Sequence, residues 1–141
     1  MTARRASCCC GALSAEAEGE PAAISLCHCL ECQRRTGAPF GIGAYYDAGQ
    51  VRLGGASTVY ERTVGSRKLA FHFCPRCGST VYWTAENHPG RVGIAVGAFG
   101  DPHFPKPMRS VFERSRHQWI EMPADIAGFS AGRDSTPSRR A

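Results

Sequence analysis

The chain contains 141 residues, of which 43% are hydrophobic and 21% charged, and its formal net charge is +5. This length fits one domain, the composition excludes a wholly disordered chain and a fibrous repeat, and no run approaches the ~20 apolar residues that cross a membrane. Residues 8–123 carry 12 basic and 10 acidic side chains, so we expect neither nucleic acid nor a membrane as a partner.

The two ends of the chain differ from its middle in composition. Residues 1–7 contain Arg4 and Arg5 without an apolar run behind them, which predicts a flexible leader and not a secretory signal. Towards the C-terminus the chain turns to alanine, glycine, serine, proline and arginine, which predicts a disordered tail over 124–141. We therefore expect one folded domain over 8–123, in a cytoplasmic protein.

Short strand-like runs, separated by glycine and proline, follow one another along this domain. One helical stretch is predicted, one or two turns long, around residues 29–36. Strands are predicted at residues 42–46, 51–53, 58–62, 68–73, 79–84 and 91–99, and weaker strand-like runs at 111–114 and 118–121. Regular short strands with this punctuation indicate a mainly-β domain with short helical turns.

Eight cysteines are the strongest chemical signal in the sequence, and they lie in three groups. Residues 8–11 contain a C-x-C-G, residues 27–32 are C-x-C-x-x-C, and residues 74–78 are C-x-x-C-G. Without an export signal we take the compartment to be reducing. Grouped cysteines in such a compartment indicate metal ligands before disulfides.

The first and third groups together predict a structural zinc. Such a zinc takes four ligands in a closed tetrahedron, and a C-x-x-C such as Cys74 and Cys77 supplies two. Cys8 and Cys10 supply a second pair, because alternate residues of an extended strand face the same way. The binding free energy, on the order of 10 kcal/mol, would then stabilise the fold by joining the first strand to a distant hairpin.

The middle group supplies three thiols, those of Cys27, Cys29 and Cys32, and no obvious fourth ligand. Three ligands with an open position are typical of a catalytic or substrate-binding zinc. Both sites together leave one cysteine, Cys9, spare. Ligand chemistry favours two zinc ions per chain, while disulfides, an iron–sulfur cluster, and one structural zinc beside inert cysteines stay open as alternatives.

In combination, these motifs resemble a known family. The matching residues are Cys8-x-Cys10-Gly11, Cys27-His28-Cys29-x-x-Cys32-x-x-x-x-Gly37, Phe73-Cys74-Pro75-x-Cys77-Gly78, Gly97-Ala98-Phe99 and the run 115–119. This pattern is similar to the glutathione-dependent formaldehyde-activating family, which also includes centromere protein V. The resemblance covers nearly the whole predicted domain.

The resemblance implies a zinc-stapled β-tent of the Mss4-like type. It implies a structural zinc on the first and third cysteine groups and a second zinc on the catalytic middle group, that is, on Cys8, Cys10, Cys74 and Cys77 and on Cys27, Cys29 and Cys32. The implied activity is that of S-(hydroxymethyl)glutathione synthase, a carbon–sulfur lyase. The implied partners are a small glutathione-like thiol and an aldehyde, formaldehyde in the named reaction.

Several charged residues near the middle group are candidates for contacts with substrate. Arg34, Arg35 and Arg109 are candidates for binding the carboxylates of a glutathione-like thiol, because a guanidinium pairs with a carboxylate through two hydrogen bonds. A solvated surface charge is the competing interpretation for each of them. His28 is interpreted as a hydrogen-bonding spacer between two ligands, and Glu31 as a solvated loop carboxylate.

Two other functions compete with that of an enzyme. The first is a non-catalytic, zinc-stapled binding module, against which the balanced charge of the domain argues. The second is a thiol-based redox or metal-buffering protein, in which the middle group would be a labile site. Metal content and the number of free thiols separate these hypotheses.

Overall fold

The computed structural model describes residues 2–139; of the predicted leader and tail, Met1, Arg140 and Ala141 lie outside the described residues. The fold is mainly β, as the sequence predicted, with twelve strands and one short α-helix in the described part of the chain. None of the helices over residues 2–139 is long and apolar enough to cross a membrane. The chain forms two compact units, each built from two separate stretches of sequence.

The first unit contains the chain up to Ala22 together with Ala44–Phe104. Three of its strands form an antiparallel sheet in the order β1-β2-β5: β1 (Ala3–Ser7), β2 (Ser14–Glu18) and β5 (Val51–Gly54). Four others are antiparallel neighbours in the order β9-β8-β7-β6: β6 (Thr58–Val64), β7 (Arg67–Phe73), β8 (Thr80–Ala85) and β9 (Arg91–Ala95). The core of this unit combines small and aromatic side chains, including Ala6, Ala15, Ala17, Phe71 and Trp83.

The second unit contains Ala23–Gly43 and the chain from Pro105 onward. Its strands are neighbours in the order β12-β11-β10-β3: β3 (Ala23–Cys27), β10 (Arg109–Val111), β11 (Ala127–Phe129) and β12 (Pro137–Arg139). Strand β10 runs parallel to both β3 and β11. Strand β4 (Gly41–Asp47) contains the point at which the chain passes from this unit to the first.

The predicted helix is confirmed as α1 (Leu30–Thr36), which follows β3 after two residues. Cys29 is its N-cap, and the Cys29 sulfur accepts a hydrogen bond from the Cys32 N–H. At the other end Gly37 adopts a left-handed φ of 69°, which ends the helix and lets its N–H donate to the Gln33 carbonyl at 2.8 Å. Two members of the middle cysteine group are thus fixed by the first turn of a helix.

The six stronger strand predictions are confirmed as β4 to β9, with ends that agree to within about two residues except in one case. Of the two weaker runs, 111–114 overlaps β10 only at Val111, and 118–121 forms no strand. The run 91–99 is a strand only as far as Ala95 and continues as a 3-10 turn to Phe99. Strands β1 to β3 were not predicted. The first two are rich in alanine, serine and charged residues, which carry little strand propensity of their own.

Strands form within 3–7 and 127–139, stretches where the sequence predicted a flexible leader and a disordered tail. Residues of the leader form β1, in which Ala6 is fully buried. Residues of the tail form β11 and β12, beside which Ile126 is 2% exposed. A segment without large aliphatic residues can add to an existing sheet, because pairing of its backbone groups does not depend on side-chain size. The predicted limits of 8–123 therefore exclude strands at both ends.

A close backbone approach at Gly55 fixes the turn that follows β5. Its φ is 87°, and an added Cβ would overlap the carbonyl oxygen of Ala12 and lie 2.9 Å from the carbonyl carbon. We expect Gly55→Ala to lower the free energy of unfolding by about 2 kcal/mol or more, because backbone atoms cannot move aside as a flexible side chain can. Urea unfolding followed by circular dichroism measures this loss.

The matched control for that variant is Gly49→Ala. Nothing lies within 4 Å of the Cβ that this change adds, and Gly49 has no left-handed φ. We expect its free energy of unfolding to stay within about 0.5 kcal/mol of the wild type. An equal loss in both variants would contradict the role given to the approach at Gly55.

Candidate metal centres

Four sulfurs meet in the first unit. The Sγ atoms of Cys8, Cys10, Cys74 and Cys77 all lie within 4.8 Å of one another. The Sγ of Cys10 is 3.6 Å from that of Cys8 and 3.6 Å from that of Cys74. Thiolates that bind one zinc ion tetrahedrally at about 2.3 Å lie about 3.8 Å apart, so the donors and their spacing fit this metal.

The first pair of these cysteines belongs to the tight loop between β1 and β2. The Gly11 N–H donates to the Cys8 carbonyl at 3.1 Å, and Gly11 has a φ of 83°, which favours glycine. The Leu13 N–H donates to the Cys8 sulfur at 3.2 Å. Burial raises the pKa of the Cys8 thiol, but this N–H and the sulfurs of Cys10 and Cys74 lower it by more, so the pKa falls below its usual value.

The second pair belongs to a similar loop between β7 and β8. The Gly78 N–H donates to the Cys74 carbonyl at 2.8 Å, and the Arg76 N–H donates to the Cys74 sulfur at 3.4 Å. The hydroxyl of Ser79 lies 3.4 Å from the Cys77 sulfur. Hydrogen bonds from Ser79 lower the pKa of Cys77 to about 5. Each loop therefore directs backbone N–H groups at a sulfur, which suits thiolate ligands.

The thiol of Cys10, another candidate ligand of this cluster, resists ionisation when no cation is present. A hydrogen bond with Ala12 lowers the pKa of Cys10, but those with the sulfurs of Cys74 and Cys8 outweigh it and raise the pKa to about 11. Four thiolates at this spacing repel one another. A divalent cation relieves that repulsion, so metal binding and proton release are coupled at this cluster.

Cys9 lies apart from the four clustered sulfurs. Its side chain is exposed, and its backbone N–H donates to the Ser79 hydroxyl at 3.3 Å. All eight cysteines are free thiols in the structure, and seven of them belong to the two clusters. The sequence also predicted Cys9 to be the unused cysteine, because it faces opposite to its two neighbours.

Three more sulfurs meet in the second unit. The Sγ atoms of Cys27, Cys29 and Cys32 lie within 4.8 Å of one another, and all three residues are half-buried. Cys27 is the last residue of β3, and the Cys29 N–H lies 3.5 Å from its sulfur. The Cys32 N–H donates to the Cys29 sulfur at 3.3 Å. The end of a strand and the first turn of α1 thus turn all three sulfurs towards one point.

Two thiols of this cluster, those of Cys27 and Cys32, are neutral when no cation is bound. Hydrogen bonds with Cys29 and Cys32, together with burial, raise the pKa of Cys27 above the usual range of a thiol. For Cys32, a hydrogen bond with Cys27 lowers the pKa, but contacts with Cys29 and burial raise it by more. Three soft donors fit zinc and leave one tetrahedral position for a donor from elsewhere.

His28 is the spacer between two of these sulfurs and is completely buried. Its Nε2 lies 2.9 Å from the hydroxyl oxygen of Ser110 on β10, and its backbone N–H donates to the Val111 carbonyl at 3.0 Å. The edge of its ring packs against Phe40, with 6.0 Å between ring centroids. Burial lowers the pKa of His28, so the ring is neutral. These contacts agree with the interpretation of His28 as a hydrogen-bonding spacer.

The structure adds a residue that the sequence did not single out, Gln33 on α1. Its amide nitrogen donates to the carbonyls of His28, at 2.8 Å, and Ser115, at 3.1 Å. Its amide oxygen lies 2.9 Å from Nε2 of His117, whose ring meets the 73% exposed Trp119 edge-on. Gln33 therefore ties the cysteine helix to the turn that carries these two aromatic side chains. Only its place one residue after Cys32 hinted at such a role.

The candidate arginines differ in where they lie. Arg34 is 72% exposed and pairs with Glu31 at 3.5 Å. Arg35 lies close enough to the cluster for its charge to lower the pKa of Cys32, although other contacts outweigh it. Arg109 on β10 donates to the Ser25 hydroxyl at 3.3 Å. Arg35 is thus placed where its charge acts on the middle cluster.

Comparisons with known proteins agree with this picture. Residues 3–115 match the model of a family described as glutathione-dependent formaldehyde-activating enzyme. The fold is similar to a crystal structure of a Rhodobacter sphaeroides protein, a structural-genomics target, with a TM-score of 0.54 and 27% sequence identity. That similarity covers 72% of this chain and 90% of the other. No curated protein matches the chain.

Proposed function

Because the chain belongs to the glutathione-dependent formaldehyde-activating family, we propose that it is a zinc-dependent carbon–sulfur lyase that handles adducts of an aldehyde and a thiol. The proposed reactants are formaldehyde and glutathione, and the product is S-(hydroxymethyl)glutathione. One observation carries the proposal: Cys27, Cys29 and Cys32 form a half-buried group to which no fourth cysteine, histidine or carboxylate within residues 2–139 belongs. A metal site of this kind has room for one donor from a substrate.

We assign one zinc ion to each cysteine cluster, and hence two ions to each chain. The four-thiol cluster is closed and has a structural role, because every tetrahedral position is filled by the protein. When bound by the three-thiol cluster, zinc supplies positive charge that stabilises a thiolate or polarises a carbonyl oxygen. Soft thiolate donors favour zinc over magnesium or calcium at both places.

The reaction itself needs two small molecules to be held together in the right orientation. The sulfur of glutathione attacks the carbonyl carbon of formaldehyde, and a carbon–sulfur bond forms. The π electron pair of the carbonyl group moves to its oxygen, which takes up a proton, while the thiol proton leaves to solvent. All atoms are conserved and no oxidant is required, so the chain contributes by binding and orienting the reactants.

Arg35 is the residue that we propose to bind a carboxylate of the thiol substrate. It lies in the last turn of α1, near enough to the middle cluster to act on Cys32. Arg34, proposed from the sequence for the same role, is paired with Glu31 and points into solvent. A guanidinium beside the cluster would orient glutathione through two parallel hydrogen bonds, with the sulfur directed at the three cysteines.

Two measurements on the wild-type protein test the proposed function. Elemental analysis of protein purified without added metal or chelator should give close to two zinc ions and, with a thiol-reactive dye, about one free thiol. Exchange spectroscopy by NMR on a mixture of formaldehyde and glutathione should then show faster interconversion of free formaldehyde and S-(hydroxymethyl)glutathione than in buffer. Bovine serum albumin at equal thiol concentration controls for nonspecific thiol chemistry.

The outcomes separate the competing functions. Two zinc ions without any acceleration of exchange would overturn the activity and leave the metal assignment standing. One zinc ion and about four free thiols would leave only the closed cluster as a metal site. In that case a binding module or a thiol-based redox protein would explain the chain better than an enzyme does.

A further inference from the structure

Beside His28, the second unit contains a series of interacting polar side chains, those of Ser110, Glu113 and Arg139. Neither His28 nor Ser110 has any exposed surface, and Nε2 of the ring lies 2.9 Å from the Ser110 hydroxyl oxygen. Burial raises the pKa of Glu113, whose side chain is 7% exposed, but interactions with Arg139, Ser138 and the Ser110 hydroxyl lower it by more. Ser110 therefore interacts with both the His28 ring and this carboxylate.

The last member of this series of side chains is Arg139 on β12. Its Nη2 is 2.9 Å and its Nε 3.3 Å from the two carboxylate oxygens of Glu113, a two-point ion pair that is 26% exposed on the arginine side. Its Nη1 donates to the carbonyl of Pro123 at 2.8 Å and to that of Ile126. The hydroxyl of Ser138 donates to the same carboxylate. Glu113 is thus held from the C-terminal strand.

Two unusual backbone features are found at the same carboxylate. Phe112, directly before Glu113, has a φ of 56° and a ψ of 41°, the only left-handed conformation of a non-glycine residue over residues 2–139. Gly128 on β11 lies so close that an added Cβ would overlap the carboxylate of Glu113 and lie 2.9 Å from Cγ of Arg139. Strained conformations persist where the surroundings hold them in place. Both features lie at the carboxylate that Arg139 binds.

We propose that the C-terminal strand β12 is part of the machinery of the middle cysteine cluster: Arg139, acting through Glu113 and Ser110, holds the His28 ring and so the sulfurs on either side of it in the arrangement that binds metal. The residues of β12 lie beyond the stretch 3–115 that matches the family. The proposal rests on the proposed function in one respect, the cation at the three-thiol cluster. Arg139, Glu113 and Ser110 are positioning residues in this account.

The test compares release of the two zinc ions from variants of the full chain. Arg139→Met removes the ion pair and keeps the length of the side chain, and Ser110→Ala removes the hydroxyl. In both variants, the zinc ion of the three-thiol cluster should transfer to a chromophoric chelator about tenfold faster than in the wild type, or more. Partners that orient a metal ligand typically have effects of this size. The ion of the four-cysteine cluster should leave at the wild-type rate. Arg133→Met is the matched control, an exposed arginine of the same segment.

A second readout is independent of the second ion. Alkylation rates of Cys27, Cys29 and Cys32, mapped by mass spectrometry on protein that retains the four-cysteine zinc, should rise in Arg139→Met and Ser110→Ala. Arg139→Lys should restore part of the wild-type behaviour in both readouts, because it restores the charge without the two-point geometry. A far-UV circular dichroism spectrum equal to that of the wild type reports that each variant is folded.

The possible results separate the two proposals. Two ions in the wild type with unchanged release and alkylation in both variants would overturn the inference and leave the proposed function intact. One ion in the wild type would overturn the proposed function, and the alkylation rates would still decide the inference. Equal acceleration of release from both clusters would mean a general loss of stability, and this too would overturn the inference.

Discussion

Cys74→Ser is expected to unfold the first unit at room temperature. Cys74 is fully buried, and its sulfur lies 3.6 Å from that of Cys10. Structural zinc sites of this kind contribute on the order of 10 kcal/mol to folding, which equals or exceeds the total stability of a typical domain. A hydroxyl is a poor zinc ligand, so the variant should lose most of this free energy. Circular dichroism and the zinc content of the purified variant measure both consequences.

Cys9→Ser is the matched control for that prediction. It makes the same chemical change next to two of the ligands, but at an exposed cysteine outside the cluster. We expect its melting temperature and its zinc content to equal those of the wild type. Chelation of the wild-type protein should reproduce the unfolding of Cys74→Ser. A folded Cys74→Ser with a wild-type melting temperature would show that the four-thiol cluster does not stabilise the fold.

Cys29→Ala is expected to reduce the exchange between formaldehyde and S-(hydroxymethyl)glutathione to the rate in buffer. The sulfur of Cys29 is one of three in the proposed site, and two remaining thiols would hold the second ion too weakly to present it to a substrate. The fold should survive, because the loss of an N-cap costs about 1 kcal/mol. NMR exchange rates and zinc content measure the two effects.

Cys29→Ser separates the chemical role of this residue from its role as the N-cap of α1. Serine accepts the hydrogen bond from the Cys32 N–H as the sulfur does, so the stability lost in Cys29→Ala should return. The exchange activity should stay absent, because the thiolate is still missing. If either variant retains exchange activity while it holds less than half a zinc ion per chain at the three-thiol cluster, the assignment of the reaction to this cluster is contradicted.

The sequence predicted the members of both clusters better than it predicted the surroundings of those clusters. Cysteine spacing is informative because a thiol pair two or three residues apart can turn towards one metal whatever the rest of the chain does. The link between His28 and Ser110 joins residues 82 positions apart, and no local pattern marks Ser110 as the partner of His28. The same holds for Gln33 and His117, which are also far apart along the chain.

The strands near the two ends of the chain were not predicted from the sequence for a related reason. Strand β1 and the C-terminal strands contain little that a propensity scale recognises, because their residues are small or polar. Their order comes from partners elsewhere: alanines that fill a narrow space in the first unit, and Arg139, which binds a buried carboxylate in the second. Such contacts become visible only when the tertiary fold is known.

The two cysteine clusters differ in how much of the chain must be synthesised before each is complete. All three thiols of the middle cluster lie within six residues and leave the ribosome almost together. The other cluster joins cysteines 64 positions apart, so at typical translation rates Cys10 waits roughly 3 to 13 seconds for Cys74. During that time the N-terminal thiols are an incomplete metal site. During synthesis the three-thiol cluster is therefore complete, and able to bind a metal ion, before the four-thiol cluster is.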